Sequence, residues 1–175
     1  MEILIEKLKA TDADALFRFE LDNRDYFEKT VPSRGDDYYK PEVFKSNHKA
    51  LLEEQTRGNS HFYLIKDQYH VILGRINLVD IDAAQKETHL GYRVGKNYTG
   101  KGVAKKALQL LLENVADNQN IQQIHAKTTT NNVASRVILE KSGFAYIGSD
   151  EAMFEINSQK LTFVYYKWTN KNFSC

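Results

Sequence analysis

Chemistry is written most directly into the segment Tyr98-Thr99-Gly100-Lys101-Gly102-Val103-Ala104. Two glycines one residue apart let a backbone turn tightly and present successive N–H groups. A helix starting there adds its unpaired first-turn N–H groups and the positive end of its dipole. Such a cradle suits a diphosphate-like anion. The nucleotide P-loop needs Ser or Thr after its lysine to hold magnesium, and Gly102 stands in that place. The dinucleotide fingerprint needs a third glycine where Lys105 stands. A different diphosphate, or a plain strand-to-helix turn, is left. Some thirty residues on, Asn132 is a good N-cap, and Ser135 sits in the first turn, where its hydroxyl can satisfy a free N–H.

These residues need elements to carry them. Ile3 to Leu8 alternates apolar and polar residues and reads as a strand. Thr11 is expected to cap a helix with Ala15, Leu16 and Phe19 along one stripe. Residues 22–40 read as an aromatic-rich loop with a short helical turn, and Pro41 opens a helix to about Arg57. His61 to Lys66 and Val71 to Val79 form a hairpin whose turn lacks glycine. A strand over Thr88 to Val94 runs through the glycine loop into a long helix. There Ala104, Ala107, Leu108, Leu111 and Val115 form the buried face. Ile124 to Thr128 is a strand, and Asn132 to Ser142 a helix ended by Gly143. Phe144 to Ile156 and Lys160 to Trp168 pair through Asn157-Ser158-Gln159. The order, βαα then ββ, βα, βα and ββ, predicts a single α/β domain over residues 1–175 with a mixed sheet.

Composition excludes several classes. The 24 Lys+Arg nearly balance 23 Asp+Glu, so no global field draws the protein to nucleic acid or an anionic membrane. The single cysteine, Cys175, allows no internal disulfide and fits a reducing cytoplasm. The acidic start Met1-Glu2-Ile3-Leu4-Ile5-Glu6 does not read as a signal peptide. No run approaches the roughly 20 apolar residues that span a bilayer. A cytoplasmic protein without a metal, monomeric or homodimeric, is expected.

Three segments in order resemble the GCN5-related N-acetyltransferase (GNAT) family, and within it the RimJ/RimL-like ribosomal-protein branch. Gly102 and Ala104 match the last defined positions of that family's acetyl-CoA loop, while Thr99 departs from its Arg or Gln. Asn132-Val133-Ala134-Ser135 through Lys141-Ser142-Gly143-Phe144 resembles the second segment. His89-Leu90-Gly91-Tyr92-Arg93-Val94 looks like the branch's fourth strand. The likeness is strongest over residues 73–147.

That resemblance implies a sheet splayed between its fourth and fifth strands and a helix-flanked acetyl-CoA site. Pantetheine would pair with the backbone of Tyr92, Arg93 and Val94. The pyrophosphate would lie on Thr99, Gly100, Lys101, Gly102, Val103 and Ala104. It places Asn132 on the pantetheine and Ser135 near the sulfur. Leu139 stands where many relatives carry a tyrosine acid, so Ser135 or a water is the expected donor to a thiolate that is already a fair leaving group. His89 stands where the family often has glutamate, and an imidazole can relay the ammonium proton. Glu87 is the neighbouring candidate on the same strand face. The implied reaction is acetyl transfer to a primary amine, with a protein or peptide N-terminus, of a ribosomal or another protein, as acceptor. A small-molecule acetyltransferase acting on a polyamine, an antibiotic or an amino acid, and a non-catalytic acyl-CoA-binding domain, are the alternatives. Residues 20–40 and the last hairpin would form the acceptor wall.

Overall fold

The computed structural model describes residues 1–117, 120–156 and 158–172, so Cys175 and Asn157 lie outside the described residues. Seven strands form one sheet in the order β1-β2-β3-β4-β5-β9-β6. They are β1 Ile3–Lys7, β2 His61–Asp67, β3 Ile72–Asp82, β4 Glu87–Val94, β5 Gln123–Thr129, β6 Ala145–Ser149 and β9 Phe163–Thr169. Every neighbouring pair is antiparallel except β4 with β5. The short strands β7 Phe154–Ile156 and β8 Gln159–Leu161 pair separately. The mixed α/β sheet is the expected one.

Side-chain alternation gives the sheet two apolar faces. Phe62 and Leu64 of β2 pack with Leu16 and Phe19 of helix α1 (Ala13–Asp22) and Phe44 of helix α3 (Pro41–Thr56). On the other face Ile76, Leu78, Leu90 and Ile124 meet helix α4 (Val103–Ala116) and Leu139 of helix α5 (Val133–Lys141). The short helix α2 (Arg24–Phe27) adds Phe27 to the first face. Burying such residues, at roughly 1.5–3 kcal/mol each, is what holds the layers together.

Three local readings are corrected and a fourth is explained. Thr11 does not cap α1. It lies in a 3₁₀ turn, Ala10–Asp12, where Asp12 accepts the Lys9 N–H at 2.8 Å and α1 begins at Ala13. Val103, rather than Ala104, takes the first buried place on α4, and Ala104 is half-buried. The β2–β3 turn works without glycine because Asp67 accepts the N–H groups of Tyr69 and Val71, while His70 takes φ +64°. The closing hairpin is not continuous. Thr162 donates to the carbonyls of Asp150 and Ala152, which draws that segment out of the ladder between β6 and β7.

One feature of the sheet positions the site. β4 and β5 stay in register only from Glu87 opposite Gln123 to Leu90 opposite Ala126. Beyond that point Gly91–Val94 remains paired to β3, and Lys127–Thr129 to β9. The two half-sheets diverge and leave a gap.

Candidate active site

A cavity of about 470 Å³ fills that gap. Leu90, Tyr92 and Val94 turn toward the α4–α5 face, whereas Gly91 and Arg93 turn toward α1 and α2. Tyr92, Ser135 and Leu139 line the cavity from one side of the sheet, and Phe27, Arg93 and Lys127 from the other. The cavity therefore runs through the sheet.

Its first mouth opens at Thr99 and Ala104, which line it, while Gly100, Lys101, Gly102 and Val103 lie behind them in the loop and helix start. Gly95 donates its N–H to Leu73 O at 2.8 Å, and Asn23 accepts the Lys96 N–H at 2.8 Å, which fixes where the loop leaves β4. Gly74, opposite Val94, permits the approach of the strands, since a Cβ there would lie 2.4 Å from Arg93 O. Thr99 donates to Lys96 O at 2.9 Å, so its side chain braces the loop. Gly102, at φ +77°, is the left-handed N-cap of α4, a conformation that strains any residue with a Cβ. It brings no capping side chain, and the first helical bond runs from the Lys106 N–H to Gly102 O. The N–H groups of the first turn thus have no capping side chain, an arrangement chemically suited to an anion. Lys101 is exposed beside Tyr98.

Deeper in, the structure divides the labour between Asn132 and Ser135. Asn132 Oδ1 accepts the Ser135 N–H at 3.1 Å and so caps α5. The Ser135 hydroxyl, freed from that task, lies 2.9 Å from the Tyr92 hydroxyl. Burial raises the Tyr92 phenol above its ordinary value, offset in part by the bond to Ser135. Tyr92 thus stays a neutral O–H at physiological pH and can support a proton donation from Ser135. Leu139, fully buried below them, offers no polar group.

His89 and Glu87 do not line this cavity. They lie further back, where β4 and β5 are still paired. His89 is exposed, with its ring 5.4 Å from that of His125, and His125 Nε2 lies 3.6 Å from Glu87 Oε2. The three share the sheet face of Gly91 and Arg93.

On that face lie residues of the expected acceptor wall, with their charges paired among themselves. Glu20 is fully buried, paired to Arg75 at 2.7 Å, Arg93 at 3.5 Å and Arg34 at 3.7 Å. Asp36 and Glu28 are held by Arg24, and Asp37 by Lys40. The Arg93 guanidinium also lies 4.6 Å from the centre of the Phe27 ring. Arg75 escaped notice in the sequence, although a lone arginine within the apolar run Ile72–Val79 signals a buried counter-ion. Thr30 to Pro32, Phe154 and Phe163 complete the mouth on this side. Among the described residues no group of three or more His, Cys, Asp or Glu is placed to hold a metal, and no helix is long and apolar enough to cross a membrane.

Known proteins share this architecture. The sequence profile of the acetyltransferase (GNAT) domain matches residues 2–145. Probable N-acetyltransferase YjcK of Bacillus subtilis (strain 168) is 29% identical over 160 residues, covering 89% of this chain and 87% of its own. A crystal structure of the ribosomal-protein-S5-alanine acetyltransferase of Vibrio fischeri superposes with a TM-score of 0.90 at 21% identity, covering 100% of this chain and 97% of that one. RimL, a ribosomal L7/L12 α-N-protein acetyltransferase solved with coenzyme A, gives a TM-score of 0.88 at 18% identity, covering 98% and 96%.

Proposed function

We propose, from the premise that this chain belongs to the GNAT acetyltransferase family, that it moves an acetyl group from acetyl-CoA to the N-terminal amine of a peptide or protein. That it is an N-acetyltransferase follows from the family. The acceptor class is the proposed part, supported by the ribosomal-protein acetyltransferases among its structural neighbours.

The observation that carries this reading is the cavity through the sheet, with the free end of α4 at one mouth and the Tyr92–Ser135 pair at its waist. Acetyl-CoA supplies an activated thioester. The first-turn N–H groups around Gly102 to Ala104 bind its diphosphate. The unpaired edge of β4 over Tyr92 to Val94 offers strand-like hydrogen bonds to an extended pantetheine arm, and Asn132 Nδ2 is free to add another. At the waist Ser135 donates its proton to the departing sulfur while Tyr92 donates to Ser135. A backbone N–H of the same edge can hold the carbonyl oxygen as charge develops. Because His89 and Glu87 stand outside the cavity, the acceptor's proton reaches them through water, with His125 as a further member of that relay.

Calorimetry and steady-state thiol release test the reading together. Acetyl-CoA should bind, raise the melting temperature by linkage, and give free CoA when peptide amines are added. Binding without release would leave a non-catalytic acyl-CoA sensor, and binding of ATP–magnesium with no response to acetyl-CoA would remove the assignment of the cradle.

A further inference from the structure

The charged side chains that line the cavity are all of one sign. Among the described residues they are Arg93 and Lys127, and no carboxylate lines it. Both belong to the sheet face opposite Ser135. Arg93 meets Glu20 and Phe27 there. Lys127 follows His125 by two residues on β5, and its Nζ lies 4.7 Å from the centre of the Phe163 ring.

Neither cation is fully answered by the protein. Glu20 sits among three guanidiniums and is committed most closely to Arg75, at 2.7 Å against 3.5 Å for Arg93. One carboxylate among three arginines leaves two positive charges over. Arg34 spends part of its bonding on the Tyr38 hydroxyl at the surface. Arg93 is the one that faces the cavity, with its side chain 23% exposed. Burial first, then the charge of Arg34, push its guanidinium below the ordinary value, the direction expected of a cation short of counter-charge. Lys127 has no carboxylate within ion-pair distance among the described residues. Of the acids on neighbouring elements, Glu28 and Asp36 are held by Arg24 and Asp37 by Lys40, while Asp25 and Glu155 flank lining residues without themselves lining the cavity.

A partly buried guanidinium that shares its one carboxylate with two other arginines is incompletely compensated, and a ligand anion adds the missing charge. We propose that the acceptor carries a carboxylate close to its reactive amine, and that Arg93 and Lys127 are the residues that select it. The shared chemistry is an amine with a carboxylate a few atoms away, whether an acidic residue near a peptide N-terminus or the carboxylate of a free amino acid. The same arrangement repels a polyamine, whose second ammonium would face Arg93. The inference rests on the acetyltransferase reading, with the α1-side mouth as the entrance for the amine.

The test is kcat/KM at saturating acetyl-CoA for matched peptides beginning Ser-Glu, Ser-Gln and Ser-Lys, with free glutamate and spermidine beside them. The Ser-Glu peptide should exceed Ser-Gln by about tenfold, mainly through KM, with Ser-Lys and spermidine lower still. If free glutamate matches Ser-Glu, an amino acid is the acceptor source; if it trails, a peptide is. Lys127→Glu, at an exposed position, should bring Ser-Lys level with or above Ser-Glu. Arg93→Gln should shrink the preference to within about threefold, and Arg93→Lys should restore part of it. Added salt should weaken the preference in the parent protein. Transfer that ignores acceptor charge, or a preference untouched by Lys127→Glu and Arg93→Gln, overturns this proposal and leaves the acetyltransferase reading intact. No transfer to any acceptor overturns both.

Discussion

The two mouths of the cavity are built from different materials. The α4 mouth is backbone: glycine turns, free N–H groups of a helix end and the unpaired edge of β4. The α1 mouth is side chain: Phe27, Arg93, Lys127 and Phe163, drawn from four separate elements and steadied by a buried carboxylate. A backbone site recognises groups common to many ligands, phosphate and amide, and tolerates change in the residues around it. A side-chain site recognises particular charge and shape, and it is altered by single substitutions. The first suits a cosubstrate shared across a family. The second suits an acceptor that differs from one member to the next.

The sharpest way to break that contrast is Gly102→Glu. A carboxylate would meet the diphosphate at the cradle, and any Cβ at φ +77° strains the turn. No atom lies within 4 Å of a Cβ built there, so the fold should survive at a cost of about 1–2 kcal/mol. Acetyl-CoA affinity measured by calorimetry should fall about a hundredfold, since an oxyanion loses its donors and gains a like charge. Unchanged affinity in the folded variant would place the diphosphate elsewhere.

Ser135→Ala, at the boundary between the two mouths, should have a smaller effect of another kind. It removes one proton donor and leaves the buried Tyr92 hydroxyl unpartnered, costing about 1–3 kcal/mol of stability. Turnover should drop about thirtyfold with acetyl-CoA affinity nearly constant, because Asn132 still caps the helix. Tyr92→Phe added to Ser135→Ala should recover stability but not rate. If rate and melting temperature fall and recover together, the pair is only a structural hydrogen bond.

The smallest effect is expected at His89→Gln. This residue is exposed and outside the cavity, and its neighbours His125 and Glu87 can share its task. Turnover at neutral pH should fall by about fivefold, with acetyl-CoA affinity unchanged and the pH inflection of the rate weakened. Glu87→Gln is the control for the neighbouring carboxylate. Rates with several amines must be compared, and an inflection that follows the acceptor's own pKa and survives His89→Gln would take the imidazole out of the mechanism.

How far each mouth could be read from residue order follows from the same division of materials. The glycine loop and the Asn132–Phe144 helix are contiguous, so their backbone geometry is stated by neighbouring residue types. The Tyr92–Ser135 bond joins residues 43 apart, and only the family likeness brought them into one site. Glu20 read as part of an acceptor wall because it opens the charged, aromatic-rich segment 20–40. Its burial depends on Arg75 from β3, 55 residues away, which no local pattern encodes. The last hairpin read as continuous although Gly148-Ser149-Asp150-Glu151 interrupts its apolar residues, and beside that break one threonine hydroxyl bonded to two carbonyls divides it.

The gap between β4 and β5 has a consequence for the protein's own cohesion. Once the strands part after Leu90 and Ala126, two rows of ladder groups face each other across the cavity, so the sheet carries a pair of internal edges. Its halves share one short stretch of pairing and the apolar core under α4 and α5, while beyond Leu90 and Ala126 each of the two strands is held by a single ladder. On the proposed reading, an extended pantetheine arm laid along the β4 edge acts as a missing strand and joins them. At a hundredfold excess over its dissociation constant, such a ligand adds about 2.7 kcal/mol to the folded state. The supply of acetyl-CoA would then set how long the molecule persists, as well as how fast it works.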